Sequence, residues 1–202
     1  MRFLILPLFW GLVLAARFAA FSVEPFGTQI LNLDTGVTTL PQGGILTDNE
    51  NGLRLRAGYI EYKEGVFIRA RALELLSQKE SFQAQALEHD IPRQEARYTR
   101  LSFSNPDFKN LQAERALALL EEGILVGKGI LAEKPALKAE LLVVDLKRRE
   151  ALVGGNFSLR EGQRVLTGTG PSARLLIQFS FGRLKADTRV PQGHRLLRYA
   201  VP

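Results

Sequence analysis

Two histidines, His89 and His194, and an absence of cysteine limit the chemistry that this 202-residue sequence can carry. His89 is followed directly by Asp90, and a carboxylate beside an imidazole can orient the ring for acid–base catalysis. No obvious nucleophile or second histidine lies close by, so the pair is more simply explained as polar surface. Without cysteine, disulfide frameworks, thiol catalysis and cysteine-containing zinc sites are excluded, and a histidine-rich metal site is not expected.

The glycine motifs predict neither a nucleophile site nor a nucleotide site. A nucleophile elbow requires Gly-x-Ser-x-Gly, which the chain lacks. The phosphate-binding loop pattern is met neither by Gly127-Lys128-Gly129 nor by Gly168-Thr169-Gly170. Such glycines are better explained as bulges that let a sheet bend. We therefore predict that the protein is not an enzyme and uses no metal or cofactor.

Residues 1–22 have the composition of a leader. A short basic start is followed by an apolar run from Phe3 to Ala16, and then by Arg17 and small residues. Two interpretations are open: a secretory signal peptide cleaved after Ala20-Phe21-Ser22, or an uncleaved anchor in which Arg17 reaches the bilayer surface. Either one exports the rest of the chain to the periplasm or cell envelope, and an anchor would hold it at the inner membrane.

Residues 23–202 are expected to form one exported domain, with a turn-rich start (23–52) and a basic tail (183–202). Its net charge is +4 rather than +6, because Arg2 and Arg17 belong to the leader. The Arg183–Arg198 tail has a single acid, and its charges could contact anionic lipid headgroups or protect an edge strand from aggregation. Nucleic acid is not expected as a partner, because export separates the two and no aromatic residues interleave the basic run.

Period-two alternation predicts β-strands along this domain. In 53–59, Leu53, Leu55, Ala57 and Tyr59 are expected on one face, while the arginines between them face solvent. The Asn-Gly pair at 51–52 predicts a tight turn before this strand. Further turns are predicted at four charged sequences, three of which end in glycine. They are Lys63-Glu64-Gly65, Glu121-Glu122-Gly123, Lys147-Arg148-Arg149-Glu150 and Arg160-Glu161-Gly162.

A repeat of 26 to 29 residues organises the predicted strands. The sequence Leu-Gln-Ala-Glu at 111–114 recurs as Leu-Lys-Ala-Glu at 137–140, and Phe-Gln-Ala at 82–84 is a weaker copy. Since one unit cannot bury its apolar face alone, a stacked or rolled β architecture is predicted. Residues 69–89 and 111–122 are rich in Ala, Leu and Glu, which leaves a helix as the alternative there. Five units of two strands and one hairpin would begin at Leu53, Phe82, Leu111, Leu137 and Val165.

The stretch from Leu111 to Gly162 combines Leu-x-Ala-Glu openings, charged turns and Val-Gly sequences. It resembles the OstA-like periplasmic proteins of lipopolysaccharide transport (the LptA and LptC type), and weaker resemblance extends over 53–86 and 165–181. The resemblance implies an all-β fold, an antiparallel β-jellyroll that is slightly open along one side. It also implies that an inner apolar face shields lipid acyl chains, and that open edges join jellyrolls end to end as partners.

We therefore expect a non-enzymatic envelope protein that binds or bridges a lipid or glycolipid between membranes. The first alternative is a structural β-repeat protein of the cell envelope, with a filled core and no lipid cargo. A cell-wall enzyme whose active site is not recognisable is the second. The side chains expected on the inner, lipid-binding face are Leu55, Tyr59, Val126, Phe157, Leu159, Leu175, Ile177 and Phe179.

Overall fold

The computed structural model describes Phe18 and residues 20–77, 81–104, 108–180 and 183–200. These residues form antiparallel strands and one short 3₁₀ helix, so the prediction of an all-β fold is confirmed. Most of the predicted leader, residues 1–17 and 19, lies outside the described residues. Within the described ranges, no helix has the length and apolar character needed to cross a membrane.

The strand bounds follow the alternation of buried and exposed side chains. In chain order they are β1 (Phe21–Pro25), β2 (Ile30–Asn32), β3 (Val37–Leu40), β4 (Gly44–Asp48), β5 (Leu53–Lys63), β6 (Phe67–Leu75), β7 (Ser81–Asp90), β8 (Glu95–Ser104), β9 (Leu111–Leu119), β10 (Ile124–Ala132), β11 (Ala136–Asp145), β12 (Glu150–Glu161), β13 (Arg164–Gly168), β14 (Arg174–Ser180) and β15 (Arg183–Asp187). The 3₁₀ helix spans Arg195–Tyr199. The helical alternative for 69–89 and 111–122 is wrong, because β6, β7 and β9 alternate inward Ala and Leu with outward charged side chains.

Strands β4 to β12 each pair antiparallel with the next strand along the chain. At both ends of this ladder the sheet divides in two. The first half of β5 pairs with β4, which carries β1, and the second half pairs with β3, which carries β2. Likewise the first half of β12 pairs with β14, which carries β15, and the second half pairs with β13. The sheet therefore stays open, with β1, β2, β13 and β15 at its edges.

A line of irregular positions crosses the middle of strands β5 to β12. At each one the regular pairing is interrupted and the inward-facing positions shift by one residue, as from Ala57 to Ile60 and from Ala70 to Leu73. Alternate strands take a positive φ there, from 48° at Arg100 to 76° at Gly155. We call this line the crease. It consists of Gly58, Ala72, Gln85, Arg100, Glu114, Gly129, Glu140 and Gly155.

The crease divides every long strand into two halves, which build two layers. Layer A runs from β1 and β4 to β13, and layer B runs from β2 and β3 to β14 and β15. The inner faces of both layers belong to a single buried apolar cluster. Edge-to-face aromatic pairs with ring centroids 5.0 to 6.1 Å apart join the layers. They are Phe18–His89, Phe21–Tyr62, Phe82–Tyr98 and Phe108–Phe179.

The crease explains the 26-residue repeat. In Leu111-Gln-Ala-Glu114 the Leu and Ala face inward and the Glu lies on the crease, opposite Gly129 on the next strand. The second copy places Glu140 opposite Gly155 in the same way. Four of the five predicted units are confirmed as hairpins, β5–β6, β7–β8, β9–β10 and β11–β12. The fifth is wrong, because β13 and β14 both pair with β12 instead of with each other.

A turn lies at each of the five predicted places, with observed bounds of 49–52, 64–66, 120–123, 146–149 and 162–163. Two of them are capped by a fully buried aspartate at the end of the preceding strand. The Asp48 carboxylate accepts from the backbone N–H groups of Glu50 and Asn51 at 3.0 and 3.3 Å. The Asp145 carboxylate accepts from those of residues 147 and 148, both at 2.9 Å. Each aspartate thus holds its turn by accepting two of the turn's backbone N–H groups.

Candidate functional site

The inner face between the layers is the candidate lipid site. Six of the eight predicted side chains lie on it, and each is at most 7% exposed. Layer A contributes Leu55, Phe157 and Leu159, while β14 of layer B contributes Leu175, Ile177 and Phe179. These side chains are buried against one another and against the opposite layer, so the interior is filled by the protein itself.

Tyr59 is not an inner-face residue. The crease at Gly58 shifts the inward phase, so that Ile60 takes the inner position and is fully buried. Tyr59 instead faces outward, where its hydroxyl donates to Glu61 at 3.1 Å and its ring lies 5.3 Å from the Arg71 guanidinium. The prediction placed it inward because uninterrupted alternation from Leu55 was assumed.

Val126 also lies on the outer face, where it is half-buried. It packs against a second apolar cluster that includes Ile124, Val143 and Leu152. Residues 190–200, which we call the strap, fold back over this cluster and bury Leu196 completely. The prediction did not anticipate the strap, since nothing local in the sequence indicates which surface a tail will cover.

The inner face has members that the sequence prediction missed, and their signal was the inward phase of each strand on either side of the crease. They are large, apolar and fully or almost fully buried: Ile60, Ile68, Phe82, Leu101 and Ile130. His89 shares this face and is 2% exposed, whereas Asp90 faces outward and accepts from the Arg93 N–H at 3.1 Å. The expectation of a surface polar pair was therefore wrong for His89. The two side chains point to opposite sides of the sheet, so Asp90 does not orient the His89 ring.

Burial lowers the pKa of His89 to about 4, against the smaller opposing effects of Asp90 and Asp48. A low pKa in the folded state means that the neutral ring favours folding above pH 6.5, and that this stability is lost as pH falls towards 4. We expect His89 to cost about 3 kcal/mol of stability between pH 7 and pH 4. Urea unfolding of wild type and His89→Leu at both pH values measures it. The difference between the two proteins should change by that amount, and a constant difference would contradict the prediction.

The open edges differ sharply between the two ends of the sheet. At the N-terminal end, β2 pairs with β3 and exposes Ile30 and Leu31, while Leu33 in the following turn is 86% exposed. At the other end, β15 presents Arg183 and Lys185 to solvent. Charged edges resist pairing with other strands, whereas an apolar edge with unpaired backbone groups favours it. Of these two edges, the β2 edge is therefore the less protected.

The basic tail is divided between the β15 edge and the strap. Arg183 and Lys185 lie on β15, as the edge-protection interpretation predicted. In the strap, Arg195 pairs with the buried Asp145 and approaches Glu150 at 3.5 Å. Arg198 pairs with Glu122 at 2.7 Å, and His194 caps the 3₁₀ helix by accepting from the Leu196 N–H at 3.4 Å. Strap charges thus hold the tail on the sheet.

The fold and its inner face define a class, an open antiparallel β-jellyroll with an apolar interior. No family model and no curated protein matches the sequence. Among solved structures, the chain is similar to LptH of Pseudomonas aeruginosa, described as the LptA-homologous periplasmic component of the lipopolysaccharide transport device. That similarity has 13% sequence identity and a TM-score of 0.31, and it covers 78% of this chain and 99% of LptH.

Proposed function

We propose that the protein is a non-enzymatic β-jellyroll of the cell envelope that shields the acyl chains of a lipid or glycolipid between its two layers. The observation that best supports this proposal is the apolar inner face, which continues through every long strand of an open sheet. A closed barrel would require its strands to break before a bulky chain could enter, whereas two layers joined along a crease can separate at their open edges.

Photocrosslinking tests the lipid site. A benzophenone side chain at Phe157 keeps an aromatic ring on the inner face, while the same group at Ser158 on the same strand faces solvent. In full-length protein exported to the envelope, we expect a lipid adduct at position 157 and none at 158, identified by mass spectrometry. Equal labelling at both positions, or adducts at neither, would overturn the proposal.

We further propose that β2 joins the edge strand of another β-jellyroll by strand addition. Ile30 and Leu31 combine exposed apolar side chains with unpaired backbone groups, and no charge on β2 opposes the contact. Two jellyrolls joined in this way would extend the apolar interior from one membrane towards the other.

Replacing Leu31 with lysine should abolish this association. The matched control is Leu131→Lys, because Leu131 is 48% exposed, close to the 54% of Leu31, but lies on β10, which is paired on both sides. We expect concentration-dependent oligomers in sedimentation velocity for wild type and Leu131→Lys, and monomers for Leu31→Lys. Equal association of the two variants would contradict strand addition at β2.

We propose that the leader remains attached as an anchor in the inner membrane. Phe18 is buried against His89, the carbonyl of Ala20 accepts from the Asn49 N–H at 3.0 Å, and Phe21 begins β1. Cleavage before Val23 would remove the Phe18 contact with His89, the hydrogen bond between Ala20 and Asn49, and the first two residues of β1. The intact mass of the membrane-extracted protein distinguishes the retained leader from the cleaved one.

A structural envelope protein without lipid is the second candidate function. The observation that favours it is the filled interior, in which inner-face side chains such as Leu159 and Ile177 are fully buried by their own neighbours. The Phe157 crosslinking experiment separates the two, since a structural protein gives no lipid adduct at that position.

A further inference from the structure

The outer face of layer B carries a groove of about 410 Å³ beside the crease. Small and apolar side chains line part of it, namely Ala86, Leu117 and Val126, all half-buried. Three exposed cations, Arg97, Arg115 and Lys128, also line it. Its volume falls in the range of small-molecule sites, which are largely apolar with a few polar groups that fix orientation.

Arg115 and Lys128 are direct cross-strand partners on β9 and β10. Like charges in this position repel, since the side chains of directly paired residues lie about 5 Å apart at their Cβ atoms. None of the ion pairs in the described part of the chain involves either residue. The arrangement is therefore unfavourable for the fold by itself and favourable for an anion placed between the two side chains.

The neighbouring row of the same face shows how this sheet otherwise arranges its charges. Glu61, Arg69, Glu88 and Arg97 are successive cross-strand partners on β5 to β8, with alternating sign. Arg69 pairs with Glu61 at 3.0 Å. Glu88 and Arg97 also line the groove, and Arg97 pairs with Glu95 at 2.7 Å. Arg115 and Lys128 differ from this row because neither has an acidic cross-strand partner: their partners are Thr99, Leu141 and each other.

The apolar lining of the groove sets a second requirement that a ligand must meet, besides negative charge. Leu117 and Val126 are cross-strand partners that continue the Glu88–Arg97 row without charge. Val126 also contacts the apolar cluster under the strap, so the apolar surface extends from the cations towards Leu196. An anion alone would leave this surface exposed, whereas an anion with an attached hydrocarbon chain would satisfy both parts.

We infer that this outer groove binds a single-chain anionic amphiphile, with its headgroup between Arg115 and Lys128 and its chain along Leu117 and Val126. The site is separate from the inner face, and it does not depend on lipid entry between the layers. Charge complementarity selects the head, and the half-buried aliphatic side chains select the chain.

Calorimetric titration of the full-length protein with dodecyl phosphate tests the inference. We expect saturable binding that Arg115→Gln/Lys128→Gln weakens at least about tenfold, since two charge-assisted contacts are lost. The control double variant, Lys138→Gln/Arg160→Gln, removes the same charge from exposed positions of β11 and β12 outside the groove and should bind as wild type.

Two further ligands test the contributions of the headgroup and of the hydrocarbon chain to binding separately. Inorganic phosphate and dodecyl maltoside should each bind much more weakly than dodecyl phosphate. Equal affinity of the two double variants, or phosphate binding as tightly as dodecyl phosphate, would overturn the inference. The Phe157 crosslink reports the inner site independently, so failure of one site is distinguishable from failure of the other.

Discussion

Replacing Asp145 with alanine should release the strap from the outer face of layer B. The Asp145 side chain is fully buried, accepts two backbone N–H groups of its turn and pairs with Arg195, whose side chain is 32% exposed. The variant loses the turn cap and leaves Arg195 half-buried beside Glu150 alone. We expect a loss of about 2–3 kcal/mol of unfolding free energy, moderated by the solvent that reaches Arg195.

Asp48→Ala is the matched control for this experiment. Asp48 is equally buried and caps an equivalent turn, but it bonds to Asn51 instead of the strap. Because the chain lacks cysteine, a thiol introduced at Ala200, which is buried in the strap, reports exposure without background. We expect thiol modification to be at least about tenfold faster with Asp145→Ala and unchanged with Asp48→Ala. Equal rates would show that the strap is held by its apolar contacts alone.

Replacing Gly155 with valine should disrupt the crease. Gly155 has a φ of 76°, and a Cβ atom there would lie 2.9 Å from the Cβ atom of Glu140. Valine thus incurs the left-handed backbone penalty and displaces Glu140, whose carboxylate accepts from the Asn156 N–H at 3.0 Å. The first effect costs about 1–2 kcal/mol and the second about 1–3 kcal/mol. We expect a total loss of about 2–5 kcal/mol.

The backbone effect is measured separately at Gly162. This turn glycine has a φ of 59°, and no atom lies within 4 Å of where its Cβ would stand. Gly162→Val should therefore cost only the backbone penalty, about 1–2 kcal/mol. Urea denaturation of both variants gives the comparison. If the two lose the same stability, Glu140 contributes nothing to the crease.

Much of the fold could be predicted because strands and turns are local features. Alternation in 53–57 is enough to place Leu55 inward, and an Asn-Gly pair is enough to place a turn. The repeat also indicated β9 and β11 correctly, although the composition of 111–122, which contains β9, favours helix. Propensity is a weak signal there, since inward alanines and leucines are stabilised by burial in the sheet and not by their own backbone preferences.

The crease limited what alternation could predict about the candidate site. One interrupted pair at Gly58 moves Tyr59 from the inner to the outer face, because side chains alternate with a strict period of two. The residues opposite one another on the crease differ between strands, as with Glu114 and Gly129 or Gln85 and Arg100. Their common role is visible only when the strands are aligned in space.

The sequence alone determined the all-β class, the positions of most turns, four of the five hairpin units and the absence of cysteine chemistry. Tertiary structure decided which face each side chain occupies beyond the crease, how both ends of the sheet divide, and where the basic tail lies. Arg195 and Asp145 are distant in sequence, and Arg115 faces Lys128 only through strand register. The physical reason is that periodicity follows from the local backbone, whereas charge pairing and burial depend on segments brought together by the whole sheet.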